Sequence, residues 1–470
     1  MVNYGFVIDN RKCIGCHACT VACKSEHDVP IGVNRTHVKY IEKGTYPDVT
    51  REFSVHRCNH CEDSPCTTIC PTTALFTRED GIVDFDDDRC IGCKSCMQAC
   101  PYDALYIDPN KGTAAKCNYC AHRIEHSYEP SCVVVCPVEA IISGDLDDPN
   151  SSISGYLNEH ETIVRKPESG AKPNVFYVET SEDSLDPHAT ERSGEYLWTD
   201  QAAGVGHFAK YAEQRSGAAD THSMIVQLAL EKKAKAAAPR DRAIIHDVMS
   251  RLEEEAGKPK RLYDQPSKGV LWGWEVSAYV VTKAIATGTY MLAMALMLSG
   301  MLEMTDGMWW RLVIGCTAFL GLTGVLLILD LDRPERFVYV MLRPNWDSWL
   351  VKGAYLLGGF GGVLACSGAV LLFGLDRIYL EYLAYAGVPL ALLTGVYTAW
   401  LLKQARGRSW SEDGLLEAKM IFEMVVVGVG GVFLMASPGI LSILVFAILM
   451  AVVASHAHGT VIKPQLETLH

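Results

Sequence analysis

Residues 13–24 read CIGCHACTVACK, which places Cys13, Cys16, Cys19 and Cys23 within eleven positions. Lys24 follows the last of them, where Pro71, Pro101 and Pro137 follow the other groups. Those groups are Cys58, Cys61, Cys66 and Cys70; Cys90, Cys93, Cys96 and Cys100; and Cys117, Cys120, Cys132 and Cys136. The first and third keep the C-x2-C-x2-C-x3-C spacing, in which three thiolates wrap one iron-sulfur cubane and the fourth reaches a neighbouring cluster. Two other uses of the thiols compete. Disulfides need an oxidising compartment and Cα separations that so tight a loop meets poorly. Zinc favours two separated C-x2-C pairs closing one tetrahedron, which leaves the third cysteine of each tight run without a task. Sixteen thiolates at four per cluster predict four 4Fe-4S clusters with no ligand missing. Cubanes closed by four thiolates offer no open coordination position, so the predicted chemistry is electron conduction. Hydrogen bonds and burial tune such clusters over hundreds of millivolts, so the spacing sets no direction of flow. The two remaining cysteines, Cys316 and Cys366, lie in apolar runs and read as small core residues.

The elements that must hold these thiols divide unevenly along the 470 residues. Most of the charge lies before about residue 268, and long runs rich in Leu, Val, Gly and Ala follow it. Three segments result: a four-cluster domain over 1–180, a polar and helical linker over 181–268, and a transmembrane region over 269–470. Within the linker, apolar residues at helical spacing predict two short amphipathic helices joined by Pro239, with His207, His222 and His246 solvated. A net charge of −13 with no basic face argues against a nucleic-acid partner. The start, MVNYGFVIDNRKC, has neither an apolar h-region nor a twin-arginine pair, so no export signal is expected in it.

Six spans of sufficient apolar length fall near 270–299, 309–330, 348–374, 378–402, 416–436 and 438–458, with Pro438 and Gly439 turning the last hairpin. Lys and Arg gather in the loops on the cluster side, among them Arg333, Arg336, Arg343, Lys352, Lys403, Arg406 and Arg408, whereas Arg311 and Arg377 stand on the other. The positive-inside rule then places the clusters at the cytoplasmic face of a multi-pass inner-membrane protein. Haem is not expected. The only histidines in the spans, His456 and His458, are two apart and cannot share a helix face. Ionisable groups inside spans point to function. Glu275, Tyr279 and Lys283 are spaced by four on one stripe of the first span, and Lys419 and Glu423 likewise on the fifth. Either a structural pair such as Lys283 with Glu423 or proton handling accounts for them.

The four groups in this order, with CPTTAL, CPYDALY, KCNYC, GDLDDPNS and KPNVFYVE, resemble the iron-sulfur subunit of the polysulfide and dimethyl sulfoxide reductase family over about residues 3–180. The resemblance implies cross-ligation: Cys13, Cys16 and Cys19 with Cys136; Cys117, Cys120 and Cys132 with Cys23; Cys90, Cys93 and Cys96 with Cys70; and Cys58, Cys61 and Cys66 with Cys100. It also implies an order, with the Cys13 cluster nearest a catalytic partner and the Cys58 cluster nearest the membrane. WGWEVSAYVVTKAIATG and LDLDRPERF resemble the polysulfide-reductase-type membrane anchor, a haem-free quinone-reactive subunit, over about 269–402. Carried over, the quinone contacts fall on Glu275, on Asp330 or Asp332, and on Tyr397, with Tyr279 and Lys283 beside them. Asp332 stands where glycine is common, and relatives have eight or more spans. The expected fold is an α+β double ferredoxin-like domain followed by an all-α transmembrane bundle of about six spans. The expected function is electron transfer between a molybdenum or tungsten pterin catalytic subunit and the quinone pool, menaquinone or ubiquinone, with Glu275 and Tyr397 touching the ring oxygens. A redox-driven proton or ion translocating module and a passive membrane tether are the alternatives.

Overall fold

The structure is a computed structural model that describes residues 2–45, 48–186, 190–192, 258–265, 268 and 270–467. The two amphipathic helices expected around Pro239, with His207, His222 and His246, lie outside the described residues.

The cysteine-rich domain is built on a four-stranded sheet in the order β8-β1-β10-β9. Its strands are β1 Tyr4–Asp9, β8 Ile141–Asp145, β9 Thr162–Ile163 and β10 Val175–Val178. Strand β1 pairs parallel with β10 and antiparallel with β8. Alternation divides its side chains between two layers. Phe6 and Ile8 pack with Cys19, Tyr119 and Cys132, while Val7 meets Ile153 and Val178 on the other face. Strands β2 Thr36–Thr45 and β3 Asp48–Arg57 form a long antiparallel pair in a second sheet, which β12 Lys260–Tyr263 extends. Two small hairpins follow the inner cysteine runs: β4 Leu75–Thr77 with β5 Val83–Phe85, and β6 Tyr106–Asp108 with β7 Thr113–Ala115.

Proline sets the length of the helices that carry cysteines. α2 Pro65–Ile69 and α3 Ser95–Ala99 each stop after five residues, with Cys70 and Cys100 in extended backbone immediately before Pro71 and Pro101. A residue preceding proline is driven out of the α region. Lys24 imposes no such stop, and α1 Ala18–Glu26 runs nine residues, with Cys23 inside the helix. The Lys24 ammonium donates to the Pro30 carbonyl at 3.0 Å and to that of Val33, closing the loop beyond the helix.

Six long helices follow: Trp274–Leu298, Asp306–Leu329, Trp349–Leu372, Ile378–Gln404, Leu416–Ala436 and Ile440–Glu467. All six are long and apolar enough to cross a bilayer. The sixth runs further than the span read from sequence. The first is the central helix, 72% buried, and the sixth is peripheral, 17% buried. Small residues let the backbones approach. A Cβ on Gly288 of the first helix would lie 2.0 Å from the Met424 carbonyl oxygen, and one on Gly428 of the fifth would lie 2.6 Å from that of Gly288. Cys316 is buried as expected of a core residue, but Cys366 is exposed on the third helix. It faces outward among residues that would meet lipid.

Candidate functional site

The thiols are presented by loops that share one backbone device. Gly15 and Gly92 have φ of 66° and 69°, and His17 and Lys94 have φ of 59° and 60°, so C-I-G-C-x-x-C curls identically in both tight runs. His60 and Tyr119 take the same left-handed turn within CNHC and CNYC, with φ of 43° and 61°. Only glycine adopts this region without penalty, which explains Gly15 and Gly92; the other four positions are held there by the loops around them.

Folding brings the four groups together crosswise. One cavity is lined by Cys13, Cys16, Cys19 and Cys136, and a second by Cys70, Cys90, Cys93 and Cys96. The thiols acting most strongly on Cys23 are Cys117, Cys132 and Cys120, and those acting on Cys61 are Cys58, Cys66 and Cys100. Each set draws three ligands from one run and one from another. Four soft thiols converging in each set is the donor chemistry that a cubane requires, so these residues fit 4Fe-4S clusters. Protein donors reach the sulfurs as well. Arg57 Nη1 lies 3.0 Å from Cys132 Sγ, His27 Nε2 lies 3.2 Å from Cys120 Sγ, and the Ala114 amide donates to Cys90 Sγ at 3.3 Å.

The set nearest the bilayer differs from the expected one. Family order put the Cys58 cluster there; in the structure it is the cavity of Cys70, Cys90, Cys93 and Cys96 that meets the membrane helices. Trp272, just before the first helix, donates from Nε1 to the Cys93 carbonyl at 3.1 Å. The Arg333 amide donates to the Ile91 carbonyl at 3.2 Å, and Arg336 Nη1 donates to the carbonyls of Asp87 and Cys90 at 2.6 and 3.1 Å. The last carbonyls of α2 have no partner within their own helix. Asn345 Nδ2 donates to those of Thr67, Thr68 and Cys70, and Ser348 Oγ donates to that of Ile69 at 2.7 Å. The cause is local: the connection between the second and third helices caps the inner cysteine runs.

Gln465 of the sixth helix closes this junction. Its Oε1 accepts from the Leu271 and Trp272 amides at 3.0 Å each and from Gln98 Nε2 at 2.7 Å. Trp272 stacks on Trp410 with ring centroids 5.8 Å apart, and Trp410 Nε1 donates to the Thr460 carbonyl at 2.8 Å. None of Trp272, Trp410 or Gln465 was singled out from sequence. The tryptophan of WGWEV at the mouth of the first span was the available signal.

Below the junction a polar column descends into the bundle. Asp330, one residue past the second helix, lies near Lys94, Glu275 and Asp332. Burial above all, against the pull of Lys94 and with the repulsion of Glu275 and Asp332, pushes its carboxyl up to about 7. Tyr279 and Tyr397 flank the Thr398 hydroxyl, which accepts from Lys283 Nζ. Lys283 is 1% exposed and lies over the Tyr397 ring, 4.3 Å from its centroid. Glu275, Tyr279, Lys283, Asp330 and Tyr397 are thus brought together, facing the interior of the bundle. Asp332 is not among them; its carboxylate turns outward and pairs with Lys94 at 3.3 Å. Lys283 and Glu423, paired in the sequence reading, feel each other's charge without forming a direct ion pair among the described residues. Glu423 Oε1 meets His456 Nδ1 of the sixth helix at 2.6 Å, because the fifth and sixth helices lie side by side there.

Several cations counted for membrane orientation are docking residues. Arg333 Nε donates to the Lys111 carbonyl at 2.6 Å, Arg408 Nε to Gln98 Oε1 at 2.7 Å, and Lys268 pairs with Asp103 at 2.8 Å. Their place on the cluster side has a structural cause independent of membrane polarity.

Residues 49–146 match the 4Fe-4S dicluster domain family, and residues 264–438 match the family described as polysulphide reductase, NrfD. The protein is 37% identical over 251 residues to a putative dimethyl sulfoxide reductase iron-sulfur subunit of Halobacterium salinarum, covering 47% of this sequence and 93% of that one. It is 45% identical over 179 residues to a tetrathionate reductase subunit of Salmonella typhimurium, 37% of this sequence and 72% of that one. A polysulfide reductase chain of Wolinella succinogenes is 43% identical over 178 residues, 37% of this sequence and 93% of that one. Cross-paired cysteine runs, a ferredoxin-type fold and six apolar helices agree with these likenesses: the protein belongs to the family of iron-sulfur electron-transfer subunits of dimethyl sulfoxide, polysulfide and tetrathionate reductases, here continuous with an NrfD-type membrane anchor.

Proposed function

We propose that this protein carries electrons between a molybdenum or tungsten pterin catalytic subunit and the membrane quinone pool, menaquinone or ubiquinone, through four 4Fe-4S clusters. When bound, the clusters supply one-electron relay between fixed points. One observation carries the reading: the Trp272 indole on the Cys93 carbonyl sets a four-thiol cavity at the head of the polar column. Glu275 and Asp330 stand where protons would be exchanged as quinone is reduced or quinol oxidised, and Tyr397, held by Lys283 and Thr398, orients the ring below them. In the Cys13 set Cys16 is exposed, and Ile14 of the same loop is 56% exposed. That apolar face suits a partner from which, or to which, electrons pass at the Cys13 set. The iron-sulfur domain faces the cytoplasm in this reading, supported by Arg343, Lys352 and Arg406 on its side of the bundle.

The test uses the assembled complex in liposomes. Glu275→Gln is expected to lower quinol-coupled turnover by tenfold or more while the EPR signals of the reduced clusters persist. Unchanged turnover would sink the quinone assignment.

A second reading, proton handling linked to the redox chain, is favoured by Glu423, whose buried Oε2 has no hydrogen-bond partner among the described residues while Oε1 meets His456. Lys283→Ala in the same liposomes separates the two: lost proton movement with preserved turnover supports the second.

A further inference from the structure

Two buried cations stand between the central thiol sets in a mirrored arrangement. Arg57 ends β3 and directly precedes Cys58; Lys116 follows β7 and directly precedes Cys117. The two stretches, RCNHC and KCNYC, are the same motif twice. Arg57 is 2% exposed and Lys116 is 0% exposed. The Arg57 guanidinium does not serve the set to which Cys58 belongs. It lies 4.5 Å over the Phe6 ring and donates to Cys132 Sγ, and the groups acting on it are the thiols of Cys132, Cys117 and Cys19. Lys116 crosses the other way. Its Nζ donates to the carbonyls of Val83 and Cys117, the latter at 2.9 Å, and its charge acts on Cys58 and Cys66. Each cation therefore precedes a ligand of one set and faces the thiols of the other, and Arg57 also reaches Cys19 of the Cys13 set.

Neither has an ion-pairing carboxylate among the described residues, and Arg57 Nε and Nη2 have no hydrogen-bond partner. A buried cation without a counter-charge is costly, and removing a charge from water without a partner is normally avoided. The cost is offset where an anion occupies the adjacent cavity. A cubane held by four thiolates is such an anion, and each electron it accepts adds one negative charge. In a low-dielectric interior a fixed cation a few ångströms away stabilises the reduced form. Arginine cannot shed its proton to escape the role.

We infer that Arg57 and Lys116 are a matched pair of potential-setting residues, each raising the reduction potential of the cluster across from its own cysteine and so holding the two central clusters level as electron acceptors. The inference rests on the four-cluster reading. Iron content and the presence of cluster EPR signals test that reading separately.

The experiment is EPR-monitored redox titration of the purified complex. Arg57→Gln is expected to shift the reduction equilibrium of the Cys23–Cys117–Cys120–Cys132 cluster at least tenfold toward the oxidised form, about 59 mV for one electron. Lys116→Met is expected to do the same for the Cys58–Cys61–Cys66–Cys100 cluster. Arg57→Lys, which keeps the charge, should stay within threefold of the unaltered protein. A shift below twofold in both neutral variants, or an equal shift in all four clusters, overturns the inference. Should a neutral variant lose iron, Arg57→Lys and Lys116→Arg decide, because each moves its charge along the side chain. A two- to threefold change confined to the clusters that the moved charge faces upholds the pairing, and a change equal in all four clusters, or none in either variant, overturns it.

Discussion

Asp330 illustrates how one side chain can couple the junction to pH. Burial is the main cause that lifts its carboxyl from the ordinary 3.8 to about 7. Between those two values the native state keeps a proton that the unfolded chain has released. Stability therefore declines as pH rises through that window and levels off above about 7. Asp330→Asn is expected to melt at the same temperature as the unaltered protein near pH 4.5 and several degrees higher at pH 8, as read by thermal unfolding in detergent. An unchanged difference across the range would show that the carboxyl titrates normally. At this scale the sixteen cysteines were legible, because cluster ligation is written in short spacings. Trp272, Arg57 and Lys116 were not, because their meaning lies in partners far along the chain: Trp272 meets Cys93 across 179 residues, and Arg57 meets Cys132 across 75.

Among the elements, small residues and prolines do most of the specifying. The first and fifth helices touch backbone to backbone at Gly288 and Gly428, so a methyl group has no room. Gly288→Ala is expected to cost about 1–3 kcal/mol through forced separation of the two helices, measurable as a lower midpoint in denaturant. Gly315, with open space around it, is the control position, expected to change little. The first five long helices were readable from apolar length alone to within a few residues, whereas the sixth, read as 438–458, runs on to Glu467. Their direct partners were not: periodicity placed Lys283 and Glu423 on suitable stripes of two helices that do lie side by side, yet Lys283 reaches Thr398 and Glu423 reaches His456. The short α2 and α3 were written in Pro71 and Pro101, and the longer α1 in the lysine that replaces proline.

Over the whole molecule, the iron-sulfur domain and the anchor share a surface of many specific hydrogen bonds formed by residues 67–98 on one side and 271–272, 332–348, 408 and 465 on the other. The related proteins in Wolinella and Salmonella are matched by the first part alone. The shared hydrogen bonds predict an interface that persists without covalent continuity. Two fragments divided between residues 193 and 257 and produced together are expected to co-purify at equal stoichiometry. Recovery of the anchor without the iron-sulfur fragment would show that the connection is required. The division into a cluster domain and a helical bundle was legible in composition, whereas the identity of the membrane-facing thiol set needed the docked loops.

Gln465 holds Trp272 through a contact that spans 193 residues of sequence, and five membrane helices precede the sixth that carries it. During synthesis the cysteine runs and the first helix emerge long before their clasp. The junction between Cys93 and the helical bundle is thus among the last parts of the protein to be finished. A nascent chain would therefore hold Trp272 against Cys93 without this clasp until the sixth helix emerged.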